Sequence, residues 1–314
     1  MKLNKKLLAT GVLAASMFAG QAWGAVSAEE AAKLGNSLTP MGAEKSGNGG
    51  AIPAWTGGLT TPPAGYKNDG IYVNPFPNEQ PKFTIDQSNV EQYKDNLSPG
   101  QVAMIERYDD YFMPVYETHR TAAYPQEVME QTVENATEVE LIKDGNGLGN
   151  YQSATPFPIP QNGLEAIWNH ITRYRGGSVQ RNVGQVTPTE GGDFSVVKFQ
   201  DELTWRTYLA DYEPGMDPNV LFYFKQAITA PARLAGNVLL VHETIDQVAE
   251  PRRAWVYNAG QRRVRRAPQV AYDGPGTAAD GMRTSDNFDM FNGAPDRYNW
   301  ELVGKKEMYI PYNS

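Results

Sequence analysis

VKFQDELTWRTYL, residues 197–209, alternates apolar and polar side chains. Val197, Phe199, Leu203, Trp205 and Leu209 fall on one face, and Lys198, Gln200, Glu202, Thr204 and Arg206 on the other. Successive side chains of a strand point to opposite faces, so a period of two predicts a strand with one face on a core and one toward water.

The same reading extends along the chain. Val220, Phe222, Phe224 and Ile228 line a second strand, and Leu234–Ile245 is apolar on both faces, as in a strand between two layers. Arg253–Tyr257 and Arg262–Ala267 form a hairpin across Asn258-Ala259-Gly260-Gln261. Tyr298, Trp300, Leu302, Met308 and Ile310 make the face of a last strand, preceded by a helix-rich insertion over Val270–Pro295. Short connections imply an antiparallel meander. With one helix over Leu164–Tyr174, capped by Asn162, residues 162–314 form the β section.

Upstream the period changes. Residues 86–161 read as a helical section packing on the sheet. Ser98-Pro99-Gly100-Gln101 has the capping-box layout, followed by Val102, Ile105, Tyr108 and Phe112 at helical spacing. A second helix is predicted over Gln126–Ala136, after Pro125. Residues 25–85 hold a short helix, Ala28–Leu34, then a run rich in proline and glycine. Proline removes backbone donors and glycine costs entropy, so this run reads as an extended arm anchored by Trp55 and Tyr66. The fold class is α+β.

The first residues read as an address. Lys2, Lys5 and Lys6 precede an uncharged run from Leu7 to Gly20, and Ala22 and Gly24 supply the small residues of a cleavage site between Gly24 and Ala25. The run is shorter than the roughly 20 apolar residues of a spanning helix. Residues 1–24 are therefore read as a signal peptide. The chain has no cysteine, so thiolate chemistry, disulfides and lipoprotein acylation at cysteine are removed together. A Gram-negative periplasm fits an exported protein held together by its core alone.

The net charge is −8, and it argues against a nucleic-acid partner. His242-Glu243-Thr244-Ile245-Asp246 begins like a zinc-protease helix but lacks the second histidine. Asp144-Gly145-Asn146-Gly147-Leu148-Gly149 resembles the start of a calcium loop, yet Leu148 and Thr155 stand where ligand oxygens are needed. It reads instead as a glycine-rich turn after a strand over Val139–Ile142. No Gly-x-Ser-x-Gly elbow occurs. No catalytic residue, metal or cofactor is assigned.

RRAWVYNAGQRRVRRAPQ, residues 252–269, concentrates positive charge in an acidic chain. Arg252, Arg253, Arg262, Arg263, Arg265 and Arg266 form a basic rim. Two readings are open: ion pairs with Asp201, Glu202 or Asp211, or a surface that meets an anionic headgroup or an acidic partner.

Three stretches resemble a known family: LTPMGAEKSGN with IPAWTGG at 38–58, RRAWVYNAGQRRVRRAP at 252–268, and DNFDMFNGAPDRYNWELVGKKEMYIPYN at 286–313. They are similar to a proteobacterial domain-of-unknown-function family, number 1329, described as outer-membrane lipoprotein-sorting-like and related to the LolA/LolB-like superfamily of periplasmic lipoprotein carriers. The resemblance implies an incomplete, strongly curved antiparallel barrel with helices in its mouth and an apolar cavity. Family members are usually longer, so the chain is expected to be a fragment lacking its last strands. Phe199, Leu203, Trp205, Phe222, Phe224, Trp300 and Leu302 are the candidate wall of that cavity, with ordinary core as the alternative. The implied cargo is a lipid or other hydrophobic molecule. The implied partners are a resistance-nodulation-division-type transporter or an outer-membrane protein. The expected function is a non-catalytic periplasmic carrier or accessory protein, with a periplasmic enzyme on a lipophilic substrate, or a structural adapter between envelope complexes, as alternatives.

Overall fold

The computed structural model describes residues 25–312; the expected signal peptide, residues 1–24, lies outside them. The described chain opens with one helical turn, α1 (Ala28–Ala31), where Ser27 Oγ accepts the Glu30 N–H at 3.2 Å. Residues 32–82 hold no helix or strand beyond isolated bridges, in keeping with their proline and glycine content. The Arg120 side chain and the carbonyls of residues 121 and 122 fasten this arm. The Arg120 guanidinium donates to the Glu44 carbonyl at 2.6 Å and the Pro53 carbonyl at 3.2 Å. The expected anchor Trp55 donates from Nε1 to the Ala122 carbonyl at 3.0 Å, whereas Tyr66 bonds locally, to Asn68. Gly58 lies against the same carbonyl with φ +77°; a Cβ there would sit 2.2 Å from the oxygen, so only glycine fits.

β1 (Phe83–Ile85) pairs antiparallel with β2 (Met113–Val115) across α2 (Pro99–Arg107). The predicted capping box is formed: Ser98 Oγ accepts the Gln101 N–H at 3.2 Å, and the Gln101 side chain accepts the Ser98 N–H at 2.7 Å. Ile85, Val90, Leu97 and Ile105 make a small core of their own, joined by Tyr309 from the end of the chain. This small core shares no residue with the main core under the sheet. α3 (Gln126–Glu138) lays Ala136 on Leu34 and Leu38. β3 (Glu140–Ile142) and β4 (Gly147–Gly149) form a hairpin about the expected glycine turn. α4 (Gly163–Thr172) starts where predicted, with Asn162 Oδ1 accepting the Glu165 N–H at 3.0 Å.

Six strands then pair in sequence: β5 (Ser178–Pro188), β6 (Phe194–Trp205), β7 (Val220–Ala230), β8 (Val238–Thr244), β9 (Arg253–Asn258) and β10 (Arg263–Arg266). Every pair is antiparallel, and the sheet, ordered β10-β9-β8-β7-β6-β5, does not close. Register shifts at Lys198/Phe199 and Val220/Phe222 supply the bends of a curved sheet. The fold is α+β, as expected. Trp168 and Ile171 of α4 pack on Leu203, Trp205, Leu221, Phe222 and Ile245 of the inner face, forming the main core with Val139 at the end of α3, Leu148 of β4 and Tyr151 just after it. Trp168 is fully buried and its Nε1 donates to the Gly145 carbonyl at 2.8 Å.

Three expectations for the β section are corrected. The sheet has a strand, β5, that the sequence did not announce, and β6 stops at Trp205 because Arg206–Tyr208 forms a 3-10 turn. Residues 270–295 contain no helix. They fold through left-handed residues at Tyr272, Ala278, Asp280, Asp289 and Met290, with the Asn292 amide holding the Ser285 carbonyl at 2.8 Å and the Phe288 carbonyl at 2.9 Å. Such Asn and Asp side chains satisfy the backbone locally and compete with a helix. Finally, residues 299–312 form no strand. Tyr298, Leu302, Met308 and Ile310 are exposed, and the segment runs past the sheet to place Tyr309 in the small core beside α2.

Candidate functional site

The inner face of the sheet sets out side chains in rows across neighbouring strands. Leu203 of β6 opposes Phe224 of β7, which opposes Val241 of β8. The next row along is Trp205, Phe222 and Glu243, and on the other side lies Asp201, Gln226 and Leu239, extended by Arg181 of β5. Leu203, Phe222, Phe224, Leu239 and Val241 form the apolar floor of a cavity of about 70 Å³. Its roof is the turn-rich segment, through Val270, Gly276, Thr277, Arg283, Ser285, Phe288, Asp289 and Asn292. That volume is under half of the roughly 150 Å³ of an apolar cavity that holds a benzene.

The cavity is amphipathic. Arg175, Arg181, Arg252 and Arg283 reach into it, against the carboxylates of Glu243 and Asp289. Arg252 is bound inside the wall: its Nε donates to Glu243 at 2.8 Å, its Nη2 to Asn292, and both members of the ion pair are buried. Arg181 Nε lies 3.2 Å from the buried Asp201 carboxylate, which also accepts from the Gln226 amide at 3.0 Å. Asp289, at φ +59°, turns its carboxylate to Arg175 and to Arg173, the latter at 2.6 Å. Arg283 meets no carboxylate among the described residues. It donates to Gln185 Oε1 and to the Thr284 carbonyl, each at 3.2 Å, and burial pushes its guanidinium below the ordinary value.

A second cavity, of about 160 Å³, lies behind Trp205, lined among others by Tyr151, Tyr174, Tyr208 and Leu221. Trp205 walls this one and Phe222 the first, and the indole N–H of Trp205 is buried without an acceptor.

The expected cavity residues are thus only partly brought together. Leu203, Phe222 and Phe224 share the first cavity, and Trp205 belongs to the second. Phe199 lies farther along the same face in a separate cluster with Val197 and Ile228. Trp300 packs on Phe291 with ring centroids 4.9 Å apart, and Leu302 is exposed. The basic rim divides too. Arg262, Arg263, Arg265 and Arg266 are exposed and form no ion pair among the described residues. Asp201 and Glu202, expected as their partners, pair with Arg181 and Lys225 instead. Arg253 pairs with Glu250 at 3.5 Å on the outer face. Arg252 does not belong to the rim at all, because its side chain turns inward to Glu243.

Arg175, Arg181 and Arg283 escaped the sequence reading. Arg181 sits among Val179, Val183 and Gln185 on the inward side of β5, where an arginine breaks the alternation that would mark the strand. No histidine lines the first cavity, and the Ser285 hydroxyl is turned to the Pro275 carbonyl at 3.4 Å. The arrangement offers an apolar floor and cationic donors, chemistry suited to holding a molecule.

A family profile described as "Protein of unknown function (DUF1329)" matches residues 84–314. The chain belongs to that family. It is 66% identical over 316 residues to an uncharacterized protein of Pseudomonas aeruginosa, an alignment that takes in 100% of this chain and 70% of that relative. No solved structure matches this DUF1329 chain.

Proposed function

We propose that this protein is a non-catalytic periplasmic carrier or accessory protein that binds a lipid or other hydrophobic molecule in the cavity on the inner face of its sheet. One observation carries the reading: Leu203, Phe222, Phe224, Leu239 and Val241, from three adjacent strands, leave a cavity above them instead of closing on one another. The floor belongs to hydrogen-bonded strands, whereas the roof has no regular secondary structure. A carrier needs that division, since the floor must hold its shape while the roof opens for loading and release. Each square ångström of apolar surface withdrawn from water there contributes about 25 cal/mol to binding. Delivery of cargo to or from a resistance-nodulation-division-type transporter or an outer-membrane protein is the role this reading gives it in the envelope.

Native mass spectrometry of protein gently purified from the periplasm tests the reading. The expected spectrum holds a non-covalent adduct of lipid mass that organic extraction removes, on a polypeptide beginning at Ala25. A cytoplasmic protein retaining Met1, or a delipidated protein that takes up no long-chain probe, overturns it.

A further inference from the structure

Given a hydrophobic cargo in this cavity, we infer that its head is anionic: a single-chain amphiphile whose carboxylate or phosphate is held by Arg283 and Arg175 while its aliphatic chain lies on Leu203, Phe224 and Val241.

The charge balance of the cavity points there. Four arginines line it against two carboxylates. Counting the outer ion-pair partners as well, Arg173 on Asp289 and Asp201 on Arg181, leaves the same excess of two positive charges. The chain as a whole carries −8, so this excess is local and opposite in sign to its surroundings. It can also be placed. Glu243 neutralises Arg252 and Asp201 neutralises Arg181, whereas Asp289 serves Arg173 and Arg175 together and Arg283 has no carboxylate.

Donor geometry supports the same placement. Arg175 Nε is buried without an acceptor. The guanidinium carbons of Arg283 and Arg181 lie 5.2 and 5.8 Å from the centroid of the Phe288 ring, so both cations contact the same roof residue. Fixing the roof to the sheet explains Arg252, and pairing with Asp201 inside the sheet explains Arg181. Arg283 also crosses from the roof to β5, but its partners, the Gln185 amide oxygen and the Thr284 carbonyl, leave its charge without a counter-ion among the described residues. A guanidinium fork suits a carboxylate or phosphate, which can accept two parallel N–H bonds.

The test uses the delipidated mature protein in isothermal titrations with dodecanoate, dodecyl phosphate, dodecan-1-ol, dodecyltrimethylammonium, acetate and inorganic phosphate. One charge-assisted hydrogen bond is worth about 1.5–3 kcal/mol, so either anionic amphiphile should bind at least about tenfold tighter than dodecanol. The tighter of the two names the head. Arg283→Gln should erase most of that preference, weakening the anionic amphiphiles far more than dodecanol, while Arg283→Lys should retain part of it. Where Arg283→Gln fails to fold, the wild-type ranking decides. Dodecanol binding as tightly as dodecanoate, a preference for the trimethylammonium head, or equal weakening of every tailed probe in Arg283→Gln overturns the anionic head but leaves a hydrophobic carrier standing. Acetate or phosphate binding as tightly as the tailed probes overturns it too, by making the site one for simple anions. Failure of every tailed probe to bind removes the carrier reading and this inference together.

Discussion

The indole of Trp205 meets the ring of Phe222 edge to face, with centroids 5.4 Å apart. These two residues oppose each other across β6 and β7 and stand between the two cavities. Phe222 touches the main core on one side and open space on the other. Phe222→Ala should therefore merge the cavities and cost about 3 kcal/mol, the low end for a buried phenylalanine. Urea unfolding reads the cost, and titration with a long-chain probe reads the enlarged site. A loss below about 1 kcal/mol would place the ring outside the core.

Glu243 and Arg252 form a buried ion pair whose remaining donors reach Asn292 and the Val270 carbonyl. Removing one charge leaves the other uncompensated, so Glu243→Gln should cost about 3–5 kcal/mol in chemical denaturation. A change within about 0.5 kcal/mol would mean that Arg252 finds water when its partner is gone.

His242 lies on the outer face between Tyr223 and Trp255. Burial, and after it the nearby Arg253, holds the imidazole below its ordinary 6.5. Burial and Arg173 act in the same direction on His170, against the carbonyls of Asp289 and Phe291. Between the depressed folded values and 6.5 the unfolded chain binds more protons than the native one, so stability falls as pH falls through that window. Unfolding curves from about pH 7.5 down to pH 5.5 should show this decline, and His242→Gln should flatten it. An unchanged slope in that variant would remove His242 as a source.

Much of this architecture was legible in the sequence wherever one physical signal acted alone. The Ser98 capping box and the Asn162 cap need a short polar side chain at a fixed spacing, and both formed where predicted. The inner faces of β6 and β7 alternate cleanly. β5 was hidden because Arg181 and Gln185 occupy inward positions; Arg181 lines the site and Gln185 holds Arg283. Expecting helix over 270–295 failed because Asn292 and its neighbours bond the backbone directly. The alternation at 298–310 reflects a segment that anchors itself at Tyr309 rather than in a sheet. Three residues of the proposed cavity wall were found by face alone. The arginines above them come from turns and from β5, whose inward face is too polar for the period to show.

Gly163, the first residue of α4, lies against the backbone of Trp300. A Cβ at this position would fall 2.3 Å from the Trp300 carbonyl carbon. Gly163→Ala keeps the Asn162 cap and favours the helix by about 0.5–1 kcal/mol, yet it must displace the terminal segment. Limited proteolysis should cut between residues 300 and 308 faster in the variant. Equal cutting would show that the helix shifts instead.

Replacing Arg262, Arg263, Arg265 and Arg266 by Gln should change stability by about 0.5 kcal/mol or less at each position, because all four are exposed. Binding of wild type to anionic vesicles should weaken with salt, and the quadruple variant should bind less. Salt-insensitive, equal binding by both proteins would give the rim no role at a membrane surface.

Three of those arginines, Arg263, Arg265 and Arg266, also lie on the free border strand of an open sheet. β10 has β9 on one side and offers its remaining backbone donors and acceptors to water on the other. An uncovered strand of this kind is a template on which a second chain can crystallise into fibrils or add by strand exchange. Two such borders approaching each other bring arginine against arginine before any backbone bond can form. At high concentration the protein carries its own deterrent to self-assembly, and conditions that mask guanidinium charge are the ones in which it should begin to polymerise.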